Sequence, residues 1–239
     1  MHQLGQTRSA LRPDHLLQTP DTFVRTAWPG LRRGVVIVHV SPAAGARFTE
    51  YTAELEERGS LAPTGEQRFV FVLDGQAEID GVCLTPGGYV YLPPGHATSV
   101  SARTPARAVI IEKPWSWPSI PPPAFFTGHE SNIAATPFAG DDALMVCSLL
   151  PDDPSFDFAV NTMTYLPGAA LPMVEVHVME HGLLMLEGGG IYRLGDGWYQ
   201  AIAGDFIWMA PFCPQWFGAL GKTPAKYLIY KNWQRGLLE

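Results

Sequence analysis

Three segments from the first half of the chain return, in the same order, in the second. Phe71-Val-Leu-Asp-Gly75 is answered by Leu184-Met-Leu-Glu-Gly188, and Gly87-Gly-Tyr-Val-Tyr-Leu-Pro-Pro94 by Gly204-Asp-Phe-Ile-Trp-Met-Ala-Pro211. Arg103-Thr-Pro-Ala-Arg-Ala-Val-Ile-Ile-Glu112 is answered by Lys222-Thr-Pro-Ala-Lys-Tyr-Leu-Ile-Tyr-Lys231. The separations are 113, 117 and 119 residues, so they drift only as loop insertions would make them drift. Such a duplication requires two halves that share one fold.

The unit that repeats is built of strands. Short apolar runs recur between Gly- and Pro-containing turns, and no convincing amphipathic helix interrupts them. The runs 34–40, 68–73, 89–92 and 106–112 read as strands in the first half. In the second, 143–150, 158–165, 182–186, 206–209 and 225–231 do so. The chain is therefore expected to be all-β. The expected domains are an N-terminal one over 1–113, a stiff Pro- and aromatic-rich linker over 114–137, and a C-terminal one over 138–239.

The chemistry concentrates in Met173-Val-Glu-Val-His-Val-Met-Glu-His-Gly182. Glu175 and His177 alternate with valines, and on a strand residues two apart share a face. A carboxylate and imidazoles without a nearby thiolate suit a divalent ion such as Mn(II), Fe(II), Ni(II) or zinc. His177-Val-Met-Glu180-His181 also fits an H-x-x-E-H metallopeptidase pattern. That chemistry needs a helix, and the alternating valines and Gly182 argue against one. On a straight strand, positions 177 and 181 would lie ~13 Å apart, so the chain must bend between them, with His181 opening the next strand.

Charge and composition narrow the remaining classes. A net charge of −7, with 16 Lys plus Arg and no basic run, disfavours a nucleic-acid partner. The three cysteines, Cys83, Cys147 and Cys213, are widely spaced and contain no C-x-x-C, so neither a disulfide framework nor a structural zinc site is expected. The N-terminal residues lack a signal-peptide core and no apolar run approaches the ~20 residues of a membrane span. A cytoplasmic protein with no membrane partner is expected.

Each half resembles a cupin, a small jelly roll with inward ligands. Gly168, Glu175, His177, His181 and Gly188 trace the first cupin motif, and Gly204, Pro211 and Gln215 trace the second. The departures are that Glu175 stands for a His, His181 for a Glu and Gln215 for a His. Carried back through the repeat, the ligand positions fall on Ala62, Thr64, Arg68 and Thr98, which form no metal set. His96 lies nearby but reads as a loop residue. A bicupin of two tandem jelly-roll barrels is expected, the first without metal and the second working.

The ligand set Glu-x-His-x-x-x-His with a distant Gln resembles the (S)-ureidoglycine aminohydrolases, manganese bicupins of ureide breakdown. The resemblance runs through Glu175 to Leu183, Gly190-Ile-Tyr192, Trp208-Met-Ala-Pro211, Gln215-Trp-Phe217 and Tyr227-Leu-Ile-Tyr-Lys231. It implies hydrolysis of (S)-ureidoglycine to (S)-ureidoglycolate and ammonia in purine and allantoin degradation, with one Mn(II) per chain. It assigns Glu175, His177, His181 and Gln215 as metal ligands and Tyr192, Gln215, Tyr227 and Lys231 to the substrate. Glu175 and Lys231 are the candidate catalytic residues, and either Glu175 or a metal-bound water carries the proton. One carboxylate and three neutral ligands leave a centre of charge near +1, able to take an anionic substrate. A homo-oligomer is the default assembly. The competing functions are another cupin metalloenzyme, a dioxygenase or decarboxylase of a small acid, and a non-enzymatic bicupin.

Overall fold

A computed structural model describes residues 6–117 and 119–233. Its regular structure is almost wholly antiparallel strand, and the chain divides into two compact units. The unit holding most of the C-terminal half contains two sheets. The larger runs in the order Ala10–Leu11, His15–Gln18, Phe206–Met209, His181–Glu187, Ala225–Asn232, Phe158–Tyr165, Asp141–Ser148, Thr136–Phe138. The smaller consists of Gly197–Ile202, Gly189–Leu194 and Gln215–Ala219.

Period-2 alternation fixes what lies between these sheets. Ala225, Tyr227 and Ile229 face inward from one strand, Met163 and Tyr165 from the next, and Leu183 and Met185 from a third. The smaller sheet contributes Tyr192, Leu194, Phe217 and Ala219 to the same core. Burial of each large apolar side chain is worth about 1.5–3 kcal/mol, so a one-residue slip would forfeit most of this core. The inward phase turns polar at the strand ends, at Lys231, His181, Asn161 and Gln215. That change of chemistry makes the pocket.

The other unit contains the Phe126–His129, Gly88–Leu92, Gln67–Asp74, Ala106–Lys113, Thr49–Leu61, Val100–Ala102, Ala77–Ile79 and Val82–Leu84 strands in that sheet order. Leu31–Val40 pairs with the long Thr49–Leu61 strand. Val36, Tyr51, Ala53, Val70, Val72, Val90, Ala108 and Ile110 form its core.

The sequence repeat is a repeat of geometry. Gly75 (φ 72°) and Gly188 (φ 62°) occupy the same turn. A Cβ at Gly75 would lie 2.0 Å from the Pro105 carbonyl, and one at Gly188 would lie 2.3 Å from that of Pro224. Only glycine fits a positive φ against so close a backbone.

All nine expected strands form, with ends shifted by up to three residues. The domain boundaries need correction. Strands Ala10–Leu11 and His15–Gln18 belong to the C-terminal unit, because Phe206–Met209 takes His15–Gln18 as its partner, in the register Met209↔His15 to Phe206↔Gln18. The expected linker also contains two strands. Phe126–His129 pairs with Gly88–Leu92, and Thr136–Phe138 with Asp141–Ser148. Residues 153–157 join the N-terminal unit, where Asp157 accepts from Gln67 at 2.8 Å and from Lys113. Missed strands include Thr49–Leu61, whose charged outer residues Glu54, Glu56, Glu57 and Arg58 mask the inward Tyr51, Ala53 and Leu55.

Candidate active site

The segment from Ala170 to Glu180 is not a regular strand. It runs extended beside the smaller sheet, touching it through isolated bridges at Ala170↔Gly218 and Glu175↔Gln215. The Glu175 N–H donates to the Gln215 carbonyl at 2.8 Å, and the Gln215 N–H returns the bond at 3.0 Å. This reciprocal pair brings together two candidate ligands that are forty residues apart in sequence. The Phe212 N–H donates to the His177 carbonyl at 2.7 Å and fixes the next turn. The expected alternation holds for direction, with Glu175 and His177 lining the pocket. The intervening valines do not form a core, for Val176 is 56% exposed.

The chain then bends, and His181 opens the Gly182-containing strand as expected. Glu180, the central acid of the H-x-x-E-H pattern, is buried outside the pocket lining and accepts from the Trp208 indole N–H at 2.8 Å. With no helix here, the peptidase arrangement does not form.

Four candidate donors converge. His177 Nε2 lies 3.3 Å from His181 Nε2, 2.7 Å from the Gln215 amide end and 3.9 Å from Glu175 Oε2. Ligands at right angles on bonds of about 2.1 Å stand ~3 Å apart, so these separations suit the edges of one coordination shell. His181 Nδ1 is 3.1 Å from the Tyr230 carbonyl, which can only accept. The proton therefore resides on Nδ1, leaving the Nε2 lone pair for an ion. A half-turn of the Gln215 amide presents its oxygen in the same place. Burial lowers the pKa values of both imidazoles, that of His181 well below the ordinary value, and keeps them as neutral donors. The residues fit a divalent ion.

The remaining pocket residues separate by chemistry. Lys231 sits opposite His181 across the strand pair. Desolvation lowers its pKa, with Glu175 opposing that shift. Tyr192 and Tyr227 are both about 1% exposed, and burial raises their pKa values well above the ordinary range, so their hydroxyls stay protonated as donors. Phe138, Met163, Leu171, Met179 and Ile229 supply an apolar wall. Sequence reasoning missed Asn161. With its amide oriented to satisfy both ends, it accepts from Lys231 Nζ at 3.3 Å and donates to the Val160 carbonyl at 2.9 Å. Its signal was a polar residue in the inward phase of Met163 and Tyr165.

A second grouping brings Asp14, His15 and Cys213 donor atoms within 4.8 Å of one another. Both His15 nitrogens are already engaged, Nδ1 with Asp14 at 2.8 Å and Nε2 with the Tyr199 hydroxyl at 2.9 Å. Burial pushes the Cys213 thiol up to about 12, away from the thiolate a metal needs. The Ala210 N–H donates to the Asp14 carbonyl at 2.9 Å. This cluster clasps the loop that delivers Gln215.

In the N-terminal unit the positions corresponding to His181 and Lys231 are Arg68 and Glu112, which are likewise cross-strand partners. They form a buried ion pair at 2.6 Å, and Tyr51 donates to Glu112 at 3.0 Å. A guanidinium–carboxylate pair occupies the place where the other unit has its imidazole and amine.

Fold and site together define a cupin-type β protein with a carboxylate–imidazole–amide pocket. The chain is similar in structure to protein Ylba from E. coli, with a TM-score of 0.83 at 24% identity, covering 95% of this chain and 94% of that one. Bacillus subtilis oxalate decarboxylase shares the fold with a TM-score of 0.70 at 11% identity, over 90% of this chain and 76% of that one. By sequence it is 37% identical to the (S)-ureidoglycine aminohydrolase of Arabidopsis thaliana, covering 98% of this chain and 80% of that protein. The Escherichia coli (S)-ureidoglycine aminohydrolase is 30% identical over 90% of this chain and 87% of its own length. The chain belongs to the (S)-ureidoglycine aminohydrolase family. No family model matches it.

Proposed function

We propose that this protein hydrolyses (S)-ureidoglycine to (S)-ureidoglycolate and ammonia in ureide degradation. The observation that carries the proposal is the convergence of Glu175, His177, His181 and Gln215 in one pocket with Lys231 and two phenol donors, in a chain of this family. The C-terminal unit is the working barrel of a bicupin and holds one Mn(II) per chain on those four residues. The N-terminal barrel is metal-free, its equivalent position being filled by Arg68 and Glu112.

A bound ion supplies Lewis-acid and template chemistry to a small chelating substrate. Lys231 pairs with the carboxylate or ureido oxygen, and its low-dielectric surroundings strengthen that contact. Tyr192 and Tyr227 donate to the ureido group and fix which face of the reacting carbon is open. Glu175 takes a proton from the entering water, a role supported by its being the one carboxylate among the lining residues. The C–N bond to the departing amine breaks, the water oxygen forms the new C–O bond, and ammonia leaves with the water's proton. The apolar wall of Phe138, Met163 and Met179 limits bulk water.

The protein acts in the cytoplasm as a homo-oligomer. The free cysteines support the reducing compartment, and exposed Trp198, Ile202 and Leu220 support association. The test is ammonia release from freshly generated ureidoglycine by metal-stripped protein with and without added Mn(II). Mn-dependent release supports the proposal. No release, with turnover of a small keto or dicarboxylic acid instead, would replace it with the rival cupin chemistry.

A further inference from the structure

Tyr165 lies one layer behind the pocket. Its side chain is fully buried, its ring meets Phe217 edge-on at 4.9 Å, and it is not among the residues that line the cavity. Its hydroxyl is 2.6 Å from that of Tyr227, which does line the cavity. Tyr227 also points its hydroxyl at the thioether of Met163, at 3.3 Å.

The direction of the short bond follows from counting protons. Each phenol has one hydrogen to donate, and a buried donor left unused is costly. Among the described residues the Tyr165 hydroxyl has one hydrogen-bond partner, the Tyr227 oxygen. If Tyr227 donated to Tyr165, the Tyr165 proton would be stranded in an apolar core. If Tyr165 donates, both protons are used, because the Tyr227 proton is released toward Met163 Sδ and the cavity. A thioether is a weak acceptor that an oxygen would displace. Donation from Tyr165 also polarises the Tyr227 O–H and makes it a stronger donor.

We infer that Tyr165 is a positioning residue that commits Tyr227 to donating its proton into the pocket. At that point the pocket therefore selects a carbonyl or carboxylate oxygen over an N–H group. The inference rests on the proposed ureide substrate, whose ureido group offers both an oxygen acceptor and N–H donors. The committed phenol turns the carbonyl end, and not the amide end, toward Tyr227.

The test compares Tyr165→Phe, Tyr227→Phe and the double variant in the Mn-loaded protein. The probe is N-carbamoylglycine, which keeps the ureido and carboxylate groups but lacks the reacting amine. Its binding is measured by calorimetry beside ureidoglycine turnover. Tyr165→Phe should weaken analogue binding and raise KM by roughly 5- to 15-fold. The metal content should hold and kcat should stay within about 2-fold. The double variant should bind no more weakly than Tyr227→Phe alone, since Tyr165 acts only through that hydroxyl. Additive losses in the double variant, or wild-type binding by Tyr165→Phe, would overturn the inference and leave a packing role. Failure of the ureide reading shows differently, as absent turnover and absent analogue binding in the unsubstituted protein.

Discussion

Lys231 stands directly opposite His181 across an antiparallel strand pair, so a cationic amine and a candidate metal ligand share one end of the same interior. On the proposed function the two tasks of the pocket, holding an ion and holding an anion, fall to adjacent side chains. They can be separated by substitution.

Lys231→Met keeps the stem volume and removes the charge. Loss of a charge-assisted contact to a bound anion should cost about 2–4 kcal/mol, or roughly 30- to 1000-fold in kcat/KM. Metal content should be normal. Gln215→Ala should lower both Mn(II) retention and turnover. Metal analysis and ureidoglycine kinetics on the two variants decide the matter, and equal metal loss in both would move Lys231 into the ligand shell.

Purified protein should carry about one divalent ion per chain, and a His177→Ala, His181→Ala double variant should carry none. His96→Ala should leave both metal content and activity unchanged, for His96 stacks on Phe125 at 5.1 Å in the other unit. Two ions per chain by elemental analysis would refute the proposed metal-free N-terminal unit, in which Arg68 and Glu112 pair with each other at 2.6 Å.

Protons should compete poorly for the site. Burial lowers the pKa values of His177 and His181 below the ordinary 6.5. Mn(II) retained after dialysis should therefore stay level as pH falls from 8 to 6.5 and decline only below that. The sign for the metal-free fold is the same. An unfolded chain takes up these protons first, so stability present above 6.5 is lost progressively below it. A retention midpoint at or above 6.5 would contradict this placement.

Glu50 is a buried acid with one carboxyl oxygen lacking a hydrogen-bond partner, and burial raises its pKa from 4.5 to about 8. Its folded value exceeds its unfolded value, so the contribution to stability is full below 4.5 and is lost as pH climbs to 8. At about 1.4 kcal/mol per unit the loss reaches the order of 5 kcal/mol by pH 8. Glu50→Gln should therefore raise the urea midpoint more at pH 8 than at pH 5. Equal shifts at the two pH values would mean that Glu50 is not a buried neutral acid in the fold.

Much of this protein was written in local sequence. The duplicated segments marked the two halves, because a turn that demands glycine, such as Gly75 against Pro105 or Gly188 against Pro224, leaves a trace at each copy. The apolar runs marked nine strands, because alternation on a half-buried sheet is a short-range property. The bend between His177 and His181 followed from reach alone. Pairing, in contrast, is not local. That His15–Gln18 completes the sheet of the far C-terminal half depends on which strand edge is free there, and no pattern near His15 says so. The reciprocal Glu175–Gln215 bridge replaced the expected strand for the same reason, with two main-chain bonds to a distant partner setting the conformation. Asn161 and Tyr165 make their hydrogen bonds to side chains they meet across the core, Lys231 and Tyr227. A sequence names those residues, and only the packed tertiary structure decides which hydroxyl, amide or amine each one faces.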